Sequence, residues 1–417
     1  MNCDKNPVNS RQPLWTKDFT LIALGTLCIA IANYFFSATI AIYANKITGS
    51  VSYAGLATGA FFAISLGMRP LDGVLVDRYG SRPLLIVSTV LCAVACFCHN
   101  FALTIPALIV CRLLHGTGFS IFTTASATAA ANISPPKRLS EAMGYNTLGV
   151  VLAMAIGPGI ALSIIPSNAM NEFHRLFYVT VSVCTVAFVL MLFLHHREVG
   201  ASGVKKQILH DTPSKSLSAK KLPRTFLGFE KGVVWPAIIG CLMLFALSSV
   251  QMFLPLYGKT QGWDNMGAFF IVYAGAMLVA RLFAGRIADK YGPDIIMLPA
   301  FLLAAITYVA IPFCHQLWSL FIVAFPLGLA QGIFNPQISV FCITRCSKER
   351  RGSATSAYNG SLDLGMALGS VAMGVMIENV SYTFSYLFCA VLSLIAMVVY
   401  IFTLSRCSKL AGAVRSH

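Results

Sequence analysis

The chain has 417 residues, of which 57% are hydrophobic and only 11% are charged. Soluble domains carry about 25% charged residues, so this chain has too little charge to cover the surface of a water-soluble protein of its length. We therefore predict that much of its surface faces a lipid bilayer. The formal charge of +15 could indicate a nucleic-acid partner, but the basic residues concentrate in short connections and in the two tails, as in membrane proteins. We expect no nucleic-acid partner.

The 13 cysteines do not indicate a disulfide framework, because most lie within apolar runs, where a free thiol behaves as a small hydrophobic group. Cys92, Cys96 and Cys98 cluster in sequence, which leaves a metal site as an alternative. Packed thiols are the preferred interpretation, and we expect no metal and no cofactor.

The first apolar run, from about Phe19 to Tyr43, is too long for the core of a signal peptide and predicts a first membrane span. A spanning helix needs about 20 mostly apolar residues, and this criterion predicts twelve spans. Those of the first half are 18–43, 52–75, 83–102, 104–129, 140–164 and 173–195, and those of the second half are 234–257, 264–287, 294–312, 316–342, 353–377 and 383–405.

One stretch occurs twice. Residues 69–82 read RPLDGVLVDRYGSR, and residues 281–292 read RLFAGRIADKYG. The aligned pairs are Arg69 with Arg281, Gly73 with Gly285, Asp77 with Asp289, Tyr79 with Tyr291, and Gly80 with Gly292. Gly55 and Gly267 extend the match upstream at the same offset. A long repeat in a very apolar chain indicates two homologous half-transporters.

Within the repeat, Arg69, Gly73 and Asp77 share one helical face, and Gly73 would let a neighbouring helix approach closely. Gly80 would form a turn, because glycine tolerates a positive φ.

The polar connections set the predicted orientation and domains. With the N-terminus inside, the outer loops hold only Lys46, Arg175 and Lys259, while the inner segments hold most other basic residues, so we predict a multi-pass protein of the cell membrane with both termini cytoplasmic. The only long polar connection separates an N-terminal six-helix bundle, residues 1–196, from a C-terminal one, residues 233–417. We predict that 197–232 is a flexible or partly helical linker, with contact to anionic lipid or regulation as the alternative.

The repeated stretch resembles the loop 2–3 signature of the major facilitator superfamily, and its second copy resembles the weaker signature in loop 8–9. The matching residues are Gly73, Leu75, Asp77, Arg78, Gly80 and Arg82. The resemblance extends over nearly the whole chain and points to the 12-span, drug/proton antiporter-like exporters.

This resemblance implies an all-α membrane protein of two pseudo-symmetric six-helix bundles around a central cavity. It implies that Asp77 meets the N-terminal end of helix 11, where a carboxylate is favoured by the helix dipole. Arg78 and Arg82 would hold the loop by ion pairing, and the contact would close the cytoplasmic side. The predicted gate comprises Arg69, Gly73, Asp77, Arg78, Gly80, Arg82, Arg281, Gly285, Asp289 and Gly292. The alternative is that these residues only set topology and turn shape.

The fourth span carries Arg112, His115, Gly116 and Gly118, which resembles the family's Arg-x-x-Gln-Gly-x-Gly pattern with histidine in place of glutamine. An arginine inside a membrane is costly and is a functional candidate by default. Arg112 could tune a proton carrier or bind an anionic group, or it could be purely structural. His115 could titrate or pack as a neutral side chain.

The fifth span carries Gly149, Gly157, Pro158 and Gly159. The glycines and Ala153 make a small-residue face for close helix packing, and Pro158 permits a kink. The segment resembles the helix 5 motif of proton-coupled exporters, except that Ala161-Leu162 stands where a glycine pair is usual. Close packing without a functional role is the alternative.

The eleventh span contains Asp363, which we interpret as the one acidic residue clearly inside a span. Because burial disfavours a charged carboxylate, Asp363 could exchange a proton, with Arg112 and His115 modulating it. It could instead attract a cationic substrate or form a structural pair. Other polar residues of the spans are expected to line a substrate cavity, namely Asn33, Tyr34, Gln251, Gln331 and Asn335.

No catalytic set and no phosphate-binding Gly-x4-Gly-Lys-Ser/Thr loop is evident, so we expect neither an enzyme nor direct use of ATP. The main hypothesis is a monomeric, secondary-active exporter of a small organic or amphipathic compound that exchanges it for protons by alternating access. An importer of a metabolite, as a proton symporter or uniporter, is the nearest rival. A non-transporting membrane sensor is a more distant one.

Overall fold

The computed structural model describes residues 14–135, 138–195, 225–226, 229–263, 265–344 and 351–415. The first half contains six helices: α1 (Lys17–Thr48), α2 (Val51–Tyr79), α3 (Ser81–Cys98), α4 (Ile105–Ile133), α5 (Leu139–Ile164) and α6 (Met170–Leu192). In the second half, α7 has three consecutive segments, namely Lys231–Ser248, a π-helical turn Ser249–Phe253 and Leu254–Thr260. It is followed by α8 (Gly267–Tyr291), α9 (Asp294–Ala310), α10 (Leu317–Thr344), α11 (Arg351–Asn379) and α12 (Tyr382–Arg415).

These helices confirm the prediction of twelve membrane spans and the all-α fold. Within the described residues, twelve helices are long and apolar enough to cross a membrane, with mean hydropathy between 1.5 and 2.4 in their most apolar windows. Only 33% to 61% of each window is buried inside the protein, so the remaining apolar surface is available to lipid. Helices suit this environment because each backbone polar group finds its partner within its own segment.

The helix ends differ from the predicted bounds by a few residues. α1 reaches Thr48 rather than residue 43, because Gly49 ends it with a φ of 72°. Turns of 3₁₀ helix, His99–Phe101 and Ile311–Phe313, prolong α3 and α9. The π turn in α7 is not predicted by the hydropathy pattern.

The linker prediction falls mostly outside the described residues, since 196–224 are not described. Its end contains two short strands, β1 (Thr225–Phe226) and β2 (Phe229–Glu230), which pair antiparallel with Thr225 opposite Glu230 and Phe226 opposite Phe229. The rest of the predicted linker contributes Lys231, the first residue of α7, so the prediction for 197–232 as a whole stays untested.

The two halves repeat one packing scheme. In the first half α1 packs on α5 and α6, α2 packs on α4, and α3 packs on α4 and α6. In the second half α7 packs on α11 and α12, α8 packs on α10, and α9 packs on α10 and α12. These pairs correspond one to one, which confirms the two pseudo-symmetric six-helix bundles.

Two helix pairs join the halves, α2 with α11 and α5 with α8. We call them the α2–α11 seam and the α5–α8 seam. The pseudo-symmetry relates the seams to each other, because α2 corresponds to α8 and α5 to α11. Between the seams, α1 also contacts the π turn and last segment of α7.

Candidate functional site: a central cavity between the two halves

A cavity of about 860 Å³ lies between the halves. Four of the five residues predicted to line it are on its wall, namely Asn33, Tyr34, Gln251 and Asn335. Gln331 is not on the wall. It is buried at 1% exposure, and neither polar atom of its side chain has a hydrogen-bond partner among the described residues.

The cavity wall is mainly apolar, with contributions from Phe62, Leu244, Met252, Met277 and Met366. Methionine side chains are flexible and polarisable, so they adapt to apolar groups of different shape. Cavities of about 300–1,000 Å³ are typical of small-molecule sites. The cavity is therefore suited to a small compound with a substantial apolar part.

Asp363 lies on the cavity wall and pairs with Arg69 across the α2–α11 seam. Arg69 Nε donates to Asp363 Oδ2 at 2.8 Å, and the two side chains are 17% and 10% exposed. Ser65 Oγ donates to the same oxygen at 3.1 Å. The sequence groups Asp363 with Arg112 and places Arg69 in the cytoplasmic gate, whereas the structure brings Asp363 together with Arg69.

A second buried acid, Asp72, lies close by on α2. Its exposure is 0%. Ser120 Oγ on α4 donates to Asp72 Oδ2 at 2.6 Å and lies 3.2 Å from the carbonyl oxygen of Ser65. Asp72 Oδ1 has no partner among the described residues. Ser65 and Ser120 thus connect the surroundings of the two carboxyl groups.

Asp72 corrects the sequence interpretation that Asp363 is the one acidic residue clearly inside a span. Position 72 already lies within the predicted span 52–75, so the span boundaries alone could have identified it. The repeat masks this signal, because Ala284 occupies the corresponding position in the second copy.

Arg112 and His115 lie inside the N-terminal bundle beside a third basic residue, His99. Arg112 is 1% exposed, and its Cζ lies 4.4 Å from the ring centroid of Phe61. Its Nη1 is 3.5 Å from His115 Nδ1, and the rings of His99 and His115 are 6.3 Å apart. Arg112 Nε and one nitrogen of each histidine have no partner among the described residues.

The turns after α2 and α8 have the predicted backbone. Gly80 has a φ of 81° and Gly292 a φ of 91°, which confirms that these glycines form equivalent turns in the two halves. Arg78 lies over Tyr79 and Lys290 over Tyr291, with cation-to-ring distances of 5.3 and 4.9 Å. Arg82 Nη2 donates to the Leu192 carbonyl at 3.3 Å, at the end of α6.

The described residues show no contact of Asp77 with the start of α11, whose first side chains, 351–356, lie outside the described part of the chain. Asp77 is exposed and has no hydrogen-bond or ion-pair partner among the described side chains. Gly73 and Gly285 have no neighbouring atom within 4 Å of where a Cβ would stand, so none of the described helices packs against that side of either glycine. The Asp289 side chain lies outside the described part of the chain. Arg281 and Gly285 line the central cavity.

The opposite end of the seams is closed. A Cβ on Gly55 would overlap the backbone carbonyl of Ser370 on α11, and a Cβ on Gly267 would overlap Gly159 on α5. The repeated glycines therefore serve the same purpose, which is close approach of the halves. Glu378 accepts hydrogen bonds from Ser50 Oγ and Ser52 N at 2.6 Å each, so the end of α11 caps the start of α2.

The glycines of the helix 5 motif pack on two different neighbours. A Cβ on Gly157 would lie 2.9 Å from Tyr34 Cβ, and one on Gly149 would lie 3.5 Å from Leu27 Cβ, so both face α1. Gly159 faces α8, and Pro158 lies inside α5. The motif glycines therefore let α5 pack closely on α1 and α8 beside the cavity.

Comparisons with known proteins identify the family. The model of the Major Facilitator Superfamily matches residues 22–277 and 264–415. The chain is 22% identical to the staphylopine export protein of Staphylococcus aureus over 391 residues, which are 91% of this chain and 94% of that protein. It is 25% identical to the multidrug resistance protein MdtG of Citrobacter koseri over 386 residues, which are 90% of this chain and 91% of that protein.

Solved structures agree on the fold. A D-xylose-proton symporter superposes with a TM-score of 0.74 at 16% identity, over 92% of this chain and 96% of that one. A bacterial homologue of the human lysosomal transporter Spinster, in an inward-facing and unoccupied conformation, gives a TM-score of 0.72 at 15% identity, over 94% and 97% of the two chains. The chain therefore belongs to the major facilitator superfamily and is a multi-pass membrane transporter.

Proposed function

We propose that this protein is a proton-coupled exporter of a small organic, amphipathic compound, working as a monomer by alternating access. The observation that carries the proposal is the central cavity, which both halves wall and which is closed at one end of the seams. Rocking of the halves about this cavity would expose it to each side of the membrane in turn. The relatives named as a staphylopine export protein and a multidrug resistance protein support the outward direction.

The predicted orientation assigns each end of the seams to one side of the membrane. With both termini in the cytoplasm, the turns at Gly80 and Gly292 lie on the cytoplasmic side, and the Gly55 and Gly267 contacts lie on the outer side. The cavity then faces the cytoplasm, as a substrate-loading state of an exporter would. Closure of the cytoplasmic side would bring Asp77 to the start of α11.

The buried acids support proton coupling. Asp363 is the acidic residue among the described side chains that line the cavity, and it pairs with Arg69. Protonation of Asp363 would break its ion pair with Arg69, so protonation would change the contact between the halves at the α2–α11 seam. Asp72 offers a second carboxyl group two serines away. We assign proton coupling to Asp363 and Asp72. Arg112 and His115 are buried residues in the same half as Asp72.

The test is movement of candidate compounds in proteoliposomes that carry the purified chain and an imposed pH gradient. We expect accumulation against a gradient when protons flow the opposite way, and loss of this accumulation in Asp363→Asn with exchange retained. Movement in the same direction as the protons would instead identify the importer. Coupled transport that survives in Asp363→Asn would remove the assignment to Asp363.

A further inference from the structure

The cavity contains an arginine that lacks an acidic partner. Arg281 lies on the wall contributed by α8, and it is half-buried. Its Nε is buried without a hydrogen-bond partner, and no described carboxylate forms a salt bridge with it. Tyr34, Tyr273 and Tyr358 also line the cavity, and their hydroxyls are neutral at physiological pH.

A second cation borders the same cavity from the other half. Arg112 is also on the cavity wall, with 1% exposure. Its neighbours Phe61 and His115 carry no negative charge, and its Nε has no partner among the described residues. Each half therefore contributes one arginine to the lining of the cavity.

The Asp363 carboxylate on the cavity wall is already paired with an arginine. Asp363 Oδ2 binds Arg69 Nε at 2.8 Å and Ser65 Oγ at 3.1 Å, so this carboxylate is neutralised across the α2–α11 seam. Two guanidinium groups thus remain without a described counter-charge. A buried charge is costly unless it is paired, so an anionic group in the cavity would supply the partner that the described residues do not.

We propose that the transported compound carries an oxyanion, such as a carboxylate or a phosphonate, which Arg281 binds and Arg112 attracts. The planar guanidinium can donate two parallel hydrogen bonds to such a group. The apolar part of the compound would contact Phe62, Met252 and Met277. This inference rests on the proposed export function and specifies the substrate class. Of the roles that the sequence leaves open, it selects anion binding over attraction of a cation to Asp363.

The first experiment measures the sign of the cavity potential without knowledge of the substrate. Thr147 is exposed on the cavity wall, so Thr147→Cys introduces a thiol there. The full-length protein reacts with sulfonatoethyl and trimethylammonioethyl methanethiosulfonate, the anionic and cationic versions of one reagent. The rate of each is divided by its rate with a free thiol, after subtraction of the reaction of the parent protein.

We expect the anionic reagent to be favoured, and the ratio to fall about threefold or more in Arg281→Gln, the change produced by loss of one nearby charge. Arg281→Lys keeps the charge and should keep the ratio. Arg175→Gln removes an exposed arginine of α6 and should also leave the ratio unchanged. A ratio that favours the cationic reagent, or one that Arg281→Gln does not alter, would overturn the proposal.

The second experiment compares ligands that share one apolar body. Naphthylacetate, naphthylmethylphosphonate, naphthylacetamide and naphthylmethylamine are tested for a rise in the melting temperature of the detergent-solubilised protein. We expect either or both anions to stabilise the parent protein, with affinity reduced about tenfold or more in Arg281→Gln. Which of the two anions binds more tightly distinguishes a carboxylate from a phosphonate site.

Equal or greater stabilisation by the amide or the amine, or none by either anion, would contradict an oxyanion site. The two proposals fail separately. Proton-driven export of a cation would retain the exporter and remove the anion site. Anion binding that depends on Arg281, without movement driven by a pH gradient, would retain the site and remove proton-coupled export.

Discussion

The two seams pair equivalent helices and differ in chemistry. The α2–α11 seam is polar, since Arg69 pairs with Asp363 and Glu378 caps the start of α2. On the α5–α8 seam the halves meet through Gly159 and Gly267, and Arg281, the repeat partner of Arg69, has no described acidic partner. The repeat thus keeps the pairing of equivalent helices, while the charges at the two seams differ. This difference fits our proposals that the α2–α11 seam couples to protons and that Arg281 contacts the substrate.

The largest expected effect comes from breaking the ion pair of the α2–α11 seam. Asp363→Asn leaves the mostly buried Arg69 cation without its counter-charge, and we expect a loss of about 3 kcal/mol in the free energy of unfolding. Thermal or denaturant unfolding of the purified protein in detergent measures it.

The double variant Arg69→Gln, Asp363→Asn is the control, because it removes both charges together. It should recover most of the lost stability and still lack proton-coupled transport. A double variant as unstable as the sum of the two single variants would show that the pair is not energetically coupled.

The next effect concerns the glycines that close one end of both seams. Gly55→Ala and Gly267→Ala place a methyl group against the backbone of the facing helix, so overpacking should destabilise the closed end by about 1–3 kcal/mol. Gly73→Ala is the matched control, because its methyl group would occupy open space. Melting temperatures measure the difference, and a Gly73→Ala variant as unstable as the other two would contradict it.

The sequence predicts the fold well because the bilayer restricts it. A membrane-spanning chain must form long apolar helices, and the repeated glycines at 80 and 292 mark equivalent turns. The ion pair could not be predicted in the same way, because Arg69 and Asp363 are 294 positions apart and hydropathy does not encode which helices pack together. The π turn around Gln251 was missed for a similar reason, since an apolar run carries no signal for one extra residue per turn.

The site was only partly predictable. Asn33, Tyr34, Gln251 and Asn335 were found as polar residues within spans, and Gln331 meets the same criterion yet faces away from the cavity. The criterion reports that a side chain is polar and deep in the membrane. It does not report which side of the helix faces the other half, because these helices contact neighbours on several sides.

A smaller effect tests the second acid of the polar seam. In Asp72→Asn the amide oxygen can still accept the hydrogen bond from Ser120 Oγ, so we expect stability to change by about 1 kcal/mol or less. Proton-driven transport should nevertheless fall, because the amide cannot carry a proton. Ser120→Ala leaves the buried carboxyl group without that donor and should destabilise the protein by about 1–3 kcal/mol. Unchanged coupling in Asp72→Asn would restrict proton exchange to Asp363.

The smallest effect is expected for Arg281→Met, and the same substitution at Arg69 gives the most direct comparison of the seams. Arg281→Met removes a half-buried cation that has no described acidic partner, so we expect the free energy of unfolding to stay within about 1 kcal/mol of the parent or to rise. Arg69→Met leaves Asp363 unpaired and should lower it by about 3 kcal/mol. The same substitution at equivalent positions would then have different consequences for stability, which melting temperatures in one detergent measure. Equal destabilisation by both variants would mean that Arg281 is held by the protein itself, and its charge would then not be available to a substrate.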